Sequence, residues 1–417
     1  MLLAGIAFGA TPLEQLGVGL AVLVVVAIVV VRLGHHDLQV TRRIAPDRAR
    51  PGQRITLTID ILNRGSGPAP LLLLEDRIPS GVSGSARFAL QGGEPRGSRS
   101  TAIPLKAARR GRYRVGPLGI SVEDPFGLAR VRSTGAPASE FLVHPQMETL
   151  SMPGDLGERR SLATSTMRQP TGAQGEDFYT LREYVEGDPL KKIHWPSTAK
   201  RGRYIIRQEE TPWHTRATIL LDDRSGGHEG HGPTSSFERA VEASASLVDL
   251  YSRSGYGFRL LATHAGSLGS GRGSDHRNRC LDLLATIRCH EQVRGDDDAD
   301  LLLVRLAELQ AASSPAAALV VITGTVTGSE ALALSRCRRR FRTVTSISFP
   351  AHRFGSAATR ARWEGERSMN EAAGLLARSQ VRSLVLGPDE SLAAAWTTVA
   401  RARTSKEDRW AQRPELV

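Results

Sequence analysis

Eighteen consecutive residues, Leu16 to Leu33 (LGVGLAVLVVVAIVVVRL), carry no charge before Arg32. As a helix rising about 1.5 Å per residue, the run spans ~27 Å, close to a hydrocarbon core of ~30 Å. A signal peptide fits poorly, because no basic segment precedes the run and no small-x-small cleavage motif follows it. A buried helix of a soluble domain is the other alternative, and it is disfavoured for a run this Val-rich with no polar face. The first ten residues, MLLAGIAFGA, are apolar too and read as the remnant of a preceding hydrophobic helix. Arg32 stands at the run's end and Arg42 and Arg43, with His35 and His36, follow it, whereas Glu14 and no Lys or Arg precedes it. The positive-inside rule then predicts a cytoplasmic-membrane protein that meets the bilayer through residues 16–33, with its bulk in the cytoplasm.

A chain of 417 residues has room for two or three further cores. Its formal net charge of +12 invites nucleic acid as a partner, but Lys occurs only at 106, 191, 192, 200 and 406. The remaining basic residues are Arg, scattered and interleaved with acids, and no block combines basic residues with stacking aromatics. Nucleic acid is therefore excluded. Cys280, Cys289 and Cys337 form an odd, widely spaced set with neither zinc spacing nor a disulfide framework, which suits a reducing compartment.

After the anchor (residues 1–36), residues 37–147 read as an antiparallel β-sandwich. RITLTIDILN alternates Ile55, Leu57, Ile59 and Ile61 against Thr56, Thr58 and Asp60, the period-2 signature of a half-buried strand. The later runs TAIPLKAA, GRYRVGPLGISVEDPFGL and SEFLVHPQ are short and bounded by Gly and Pro. Residues 148–213 read as a polar connector ending in a dense segment of acids, bases and aromatics. Residues 214–402 then alternate strand and helix: TRATILLDD, SFERAVEASASLVDLYSRSG, YGFRLLAT, DADLLLVRLAELQAA with Asp298 or Asp300 as N-cap, AAALVVITG, SEALALSRCRRR, TVTSISF, SLVLG and DESLAAAWTTVARAR. Such alternation predicts an α/β doubly wound domain, a mostly parallel sheet with helices on both faces. Ligands of these sheets bind at the strands' carboxyl ends, where Asp222 and Asp223 fall. Residues 403–417 form a polar tail.

Two stretches carry a resemblance. RRGRYRVGPLGISVEDPFGLARV (Arg109 to Val131) and FYTLREYVEGDPLKKIHWPSTAK (Phe178 to Lys200) are similar to the bacterial domain-of-unknown-function family 58. Gly111, Tyr113, Gly116, Pro117, Asp124, Pro125, Phe126, Gly127 and Leu128 match the first part of its pattern. Phe178, Leu181, Arg182, Tyr184, Gly187, Asp188, Ile193, Trp195 and Ala199 match the second. Lys191 and Lys192 stand where the family tends to have Arg, which keeps the charge and loses the planar fork. The resemblance implies a membrane anchor, a β-sandwich and a von Willebrand factor A-like domain. It further implies partnership with an AAA+ ATPase of the MoxR class and other membrane proteins in a maturation or assembly system, and it implies no defined reaction.

A working metal site on such a domain would need D-x-S-x-S after the first strand, a Thr on a second loop and an Asp after a later strand. The chain offers Asp223 and Ser225, but Gly227 replaces the second Ser and Gly324 stands where the later Asp would be. The acids of RGDDDAD come without a Thr. The site reads as degenerate: Mg²⁺ is the ion it would take, and no cofactor is expected.

The segment from Arg182 to Trp195 admits three uses. As an active site of hydrolase type, Asp188 would orient His194, with Ser197 or Glu183 as nucleophile or acid. Sequences resembling this family also carry Asp at the His194 position, an exchange a general base does not tolerate. As a structural strap, Leu181, Tyr184, Ile193 and Trp195 would pack on a neighbour, His194 would lie in a strand, and Gly187–Pro189 would turn. As a recognition surface, Arg182, Lys191, Lys192 and Lys200, with Tyr184 and Trp195, would meet a partner, with Glu183, Gly187, Asp188 and His194 completing the signature. The expectation is a non-enzymatic, membrane-anchored adaptor; an enzyme and a metal-dependent adhesion module are the alternatives.

Overall fold

Along Arg54–Asn63 the alternation of residue type becomes an alternation of burial: Ile55, Leu57, Ile59 and Ile61 are buried, and the residues between them are partly exposed. A computed structural model describes residues 6, 11–33, 38–67, 72–85, 87–90, 94–123, 127–152, 179–183, 193–209, 216–230, 232–290, 301–311, 316–355 and 366–398. Contacts divide the chain into two units, Met1–Gln146 and Met147–Val417.

In the first unit, helix α1 (Thr11–Leu33) is the one helix among the described residues long and apolar enough to cross a membrane. Val18, Val22 and Val25 are among its many exposed apolar side chains. The strands are β1 (Leu38–Ala45), β2 (Arg48–Ala49), β3 (Arg54–Asn63), β4 (Leu72–Asp76), β5 (Val82–Ser83), β6 (Arg87–Leu90), β7 (Ser98–Ala107), β8 (Gly111–Val115), β9 (Leu118–Glu123), β10 (Arg130–Ala136) and β11 (Ser139–Val143). They form two antiparallel sheets, β1-β3-β7-β5 and β10-β9-β4-β6, and a small third, β2-β11-β8. Ile55, Leu57 and Leu105 of the first sheet share one core with Leu72, Leu74 and Leu118 of the second.

The first half of the signature is architectural here. The Tyr113 hydroxyl donates to the Arg109 carbonyl at 2.9 Å, and its ring stacks on Phe141 with centroids 5.5 Å apart. Gly116 has φ +104°, and a Cβ there would overlap the Arg42 guanidinium. That guanidinium pairs with Asp76 in the interior and donates to the Pro137 carbonyl at 3.0 Å. Asp124, Pro125 and Phe126 lie outside the described residues.

The second unit comprises β12 (Tyr179–Glu183), α2 (Trp195–Arg201), β13 (Ile205–Glu209), β14 (Arg216–Leu221), α3 (Ser236–Arg253), β15 (Gly257–Ala262), β16 (Leu268–Gly271), α4 (Gly273–Thr286), α5 (Leu301–Ala311), β17 (Ala316–Thr323), α6 (Gly328–Cys337), β18 (Phe341–Ser348), α7 (Glu366–Arg378) and β19 (Arg382–Val385). Six strands form one sheet in the order β16-β15-β14-β17-β18-β19, with every neighbouring pair parallel except β15 and β16. Alternate residues of β14 point to opposite faces. Ile219 and Leu221 join a core with Leu247 and Leu281 of α3 and α4, and Leu220 joins one with Leu306, Leu334 and Leu376 of α5, α6 and α7. Asp298 and Asp300, expected to cap α5, lie outside the described residues.

The stretch expected to open a polar connector instead begins inside the second unit. Leu150 is buried in the core against α3, with Met147 and Met152 packed beside it. The Glu148 carboxylate accepts from the Ser391 hydroxyl at 2.6 Å and from the amides of Leu392 at 3.1 Å and Ala393 at 2.9 Å. It thus caps a helix at 392–398 from far away in sequence, and the Trp396 indole donates to the Ser151 carbonyl at 2.8 Å. Burial pushes the Glu148 carboxyl up, but these bonds and Arg239 outweigh it and hold it below its ordinary value. Its stabilisation is therefore present above the unfolded value of about 4.3 and is lost as pH falls through the lower folded one. Glu148→Ala should lose about 1 kcal/mol at neutral pH, the usual worth of a helix cap. Thermal melts at pH 7 and pH 3 check this: the difference from wild type should shrink in acid.

Candidate functional site

Two places answer to the sequence expectations: the signature segment and the carboxyl ends of β14 and β17. In the signature, Arg182 and Glu183 lie in β12, in register with Ile206 and Ile205 of β13. Tyr184, Gly187, Asp188, Lys191 and Lys192 lie outside the described residues. His194 and Trp195 were expected in a strand, with Trp195 packed on a neighbour, and the structure corrects both. His194 is the N-cap of α2: its Nδ1 accepts the Ser197 amide at 3.3 Å and lies 2.8 Å from the Ser197 hydroxyl.

Trp195 opens the helix, followed by Pro196 in the first turn, where the missing N–H is unneeded anyway. Gly202 ends it in the left-handed conformation, φ +65°. No residue of α2 is buried, and Trp195 is 63% exposed. Tyr204, 58% exposed, is the third residue after the helix, and Lys200, Arg201 and Arg203 are exposed beside it in sequence. Chemically, an imidazole within hydrogen-bond reach of a hydroxyl can exchange a proton with it. The same two side chains also do the work of a helix cap.

At the second place, strand order reverses between β14 and β17, the switch point where open α/β sheets bind ligands. Asp222 and Asp223 follow β14 and are both buried, but they face different partners. Asp223, expected as the metal ligand, is turned toward the loop after β15. Its carboxylate accepts from the amides of His264 at 2.8 Å and Ala265 at 2.9 Å and from the Thr263 hydroxyl. Ser225, its expected companion, starts a 3₁₀ turn and donates its amide to the His290 carbonyl at 3.1 Å. The rings of His264 and His290 stack with centroids 4.0 Å apart.

Asp222 faces inward. Its Oδ1 accepts Arg224 Nε–H at 2.8 Å, and its Oδ2 accepts Arg224 Nη2–H at 2.8 Å and the Thr323 hydroxyl at 2.7 Å. The same Nη2 donates to Glu330 Oε1 at 2.7 Å. Glu330 is held in turn by α6, whose capping box pairs its Oε2 with the Thr327 amide at 2.9 Å. Burial pushes the Asp222 carboxyl up, but the bonds and charge of Arg224 outweigh it and hold it below its ordinary value. Burial lowers Arg224, and Asp222 and Glu330 more than reverse that. His228 donates Nε2–H to the Asp222 carbonyl at 2.8 Å, and burial pushes its pKa down, leaving a neutral ring.

Sequence reasoning found Asp222 and Asp223 and missed Arg224, Thr323, Thr263 and Glu330. The T-x-x-E box at Thr327–Glu330 was a legible signal for the last of these. The donor set does not fit a divalent cation: the Asp222 oxygens already accept a guanidinium fork, and among the described residues no group of three or more His, Cys, Asp or Glu converges on a point that could hold a metal. Cys280 and Cys337 are buried, and burial pushes their thiols up to about 12 and about 11.

The family described as "Protein of unknown function DUF58" matches residues 180–351, which takes in the signature segment, β14 and the whole switch point. The uncharacterized protein YeaD of Bacillus subtilis (strain 168) is 22% identical over 230 residues. That match covers 54% of this chain and 55% of YeaD, so the chain spans about half the length of this curated relative. Among solved structures, the CARDB domain of a Pyrococcus furiosus protein is similar at 15% identity and a TM-score of 0.20, over 26% of this chain and 91% of that one. A fragment of Escherichia coli alpha-2-macroglobulin is similar at 19% identity and a TM-score of 0.21, over 29% of this chain and 21% of that one.

Proposed function

We propose that the chain is a non-enzymatic adaptor, anchored in the cytoplasmic membrane by α1 with its bulk in the cytoplasm, that docks an AAA+ ATPase of the MoxR class. In this reading the first unit is a β-sandwich and the second a von Willebrand factor A-like domain without a cofactor. The parallel sheet with one antiparallel edge strand, and acids at the end of β14, support that assignment of the second unit. The observation that carries docking is the exposed edge around α2. Trp195 stands out from a short helix without a buried residue and Tyr204 from the chain just after it, with Lys200, Arg201 and Arg203 close by in sequence. Large aromatics and Arg are the side chains on which protein interfaces concentrate their binding energy, and cationic neighbours favour an acidic partner surface.

Trp195→Ala combined with Tyr204→Ala is expected to weaken capture of the purified ATPase about 30-fold, the equivalent of a ~2 kcal/mol hot spot. The melting temperature should stay within about 2 °C of wild type, as for surface substitutions away from packed features. Capture equal to wild type would remove the docking reading. The contact between His194 and Ser197 favours a second reading, a hydrolase; His194→Ala with full biological activity would dispose of it.

A further inference from the structure

Where the sheet reverses its strand order, the molecule has assembled most of a hard-cation site and then filled it with its own side chain. Asp222 is fully buried and Glu330 nearly so, and the Thr323 hydroxyl completes an oxygen-rich pocket of the kind that Mg²⁺ and Ca²⁺ favour. The centre of that pocket is a guanidinium. Arg224 Nε and Nη2 take both oxygens of Asp222 in a fork, and Nη2 bridges to Glu330. One delocalised positive charge thus links the loop after β14 to the first turn of α6, the connection a divalent ion would make between the same carboxylates.

Approach from the neighbouring loop is blocked as well. A Cβ on Gly324, where a third acidic ligand would have to stand, would overlap the Gly227 carbonyl oxygen. That carbonyl already accepts the Thr325 amide at 3.2 Å, so the two loops are tied backbone to backbone.

We propose that Arg224 is a built-in cation that takes the place of a divalent metal at this crest, so that the loops are closed without metal and offer no open coordination position to a partner's carboxylate. The proposal stands independently of the docking reading, since it concerns a different surface and a different readout. Its corollary is a gain of function: removing the guanidinium leaves Asp222 and Glu330 facing each other across an emptied pocket, and a divalent cation becomes the group that can reconcile them.

The test uses the full chain in detergent, wild type and Arg224→Ala, melted with EDTA and with millimolar Mn²⁺. Wild type should melt at the same temperature in both. Arg224→Ala should melt roughly 10 °C lower in EDTA and regain a substantial part of that in Mn²⁺. A folded variant whose melting ignores Mn²⁺ would overturn the proposal. Should the variant fail to fold, calorimetric titration of wild type with Mn²⁺ decides by itself. Absence of stoichiometric binding that depends on Asp222 supports the proposal, and one bound Mn²⁺ lost in Asp222→Asn overturns it.

Discussion

Asp222→Ala is expected to cost about 3–5 kcal/mol, because it takes from the buried Arg224 guanidinium the carboxylate that both arms of its fork grip. The same change also leaves the Thr323 hydroxyl without its 2.7 Å acceptor and empties space at the end of β14. Urea titration of wild type and variant at pH 7 measures the loss directly from the shift in midpoint. Asp222→Asn keeps the shape and one acceptor, and should lose less. The pH dependence separates charge from shape. Because folding holds the Asp222 carboxyl below its ordinary value, its contribution is complete above the unfolded value of about 3.9 and is lost as pH falls through the folded one. Wild type and Asp222→Asn should therefore differ most near neutrality and converge in strong acid. The half-buried His228 acts in the same direction. Its folded pKa lies below the unfolded value of about 6.5, so it too withdraws stability as pH falls. A gap between wild type and Asp222→Asn that stays constant from pH 7 down to pH 3 would mean that the fork contributes shape alone.

How much of this was legible beforehand differs by physical type. Period-2 burial in β3 and the box that starts α6 could be read because they depend on residues close in sequence. The strand–helix alternation beyond Thr215 was readable for the same reason. Helix α4 was not: its buried residues His276, Cys280, Leu281 and Leu284 are interleaved with Arg277 and Arg279, and the apolar stripe is narrow. His194 and Trp195 were misplaced because an alternation Ile-His-Trp suggests a strand, whereas Pro196 and a capping imidazole fix a helix start. Asp222 and Asp223 show the limit most sharply. Adjacent acids at a strand end signal a site, but which one faces Arg224 and which one accepts the amides after β15 depends on contacts 40 to 106 positions apart.

Gly324 is the position where the sequence and the structure give different reasons for the same absence. Read along the chain, it is an acidic ligand that is missing. In the fold, it is a place where no side chain fits, because a Cβ would overlap the Gly227 carbonyl. Gly324→Ala should accordingly cost about 1–3 kcal/mol or more, since the obstacle is backbone held by a hydrogen bond to Thr325 and not the movable end of a side chain. Gly324→Asp should cost more still, adding a third buried carboxylate beside the two that already share one guanidinium. Gly227→Ala is the control from the facing loop. There the nearest atom to an added Cβ is Asp222 Oδ2 at 3.3 Å, then the Gly324 amide at 3.9 Å, so the change should stay below about 1 kcal/mol. Urea midpoints should rank wild type, then Gly227→Ala, Gly324→Ala and Gly324→Asp, and Mn²⁺ should not rescue the last. If Gly324→Ala matches wild type, the two loops can part, and the closed crest owes its metal independence to Arg224 alone. The predicted order requires instead that no side chain can stand on this loop, so the crest offers no third acidic ligand, while Arg224 occupies the oxygens of the two it has.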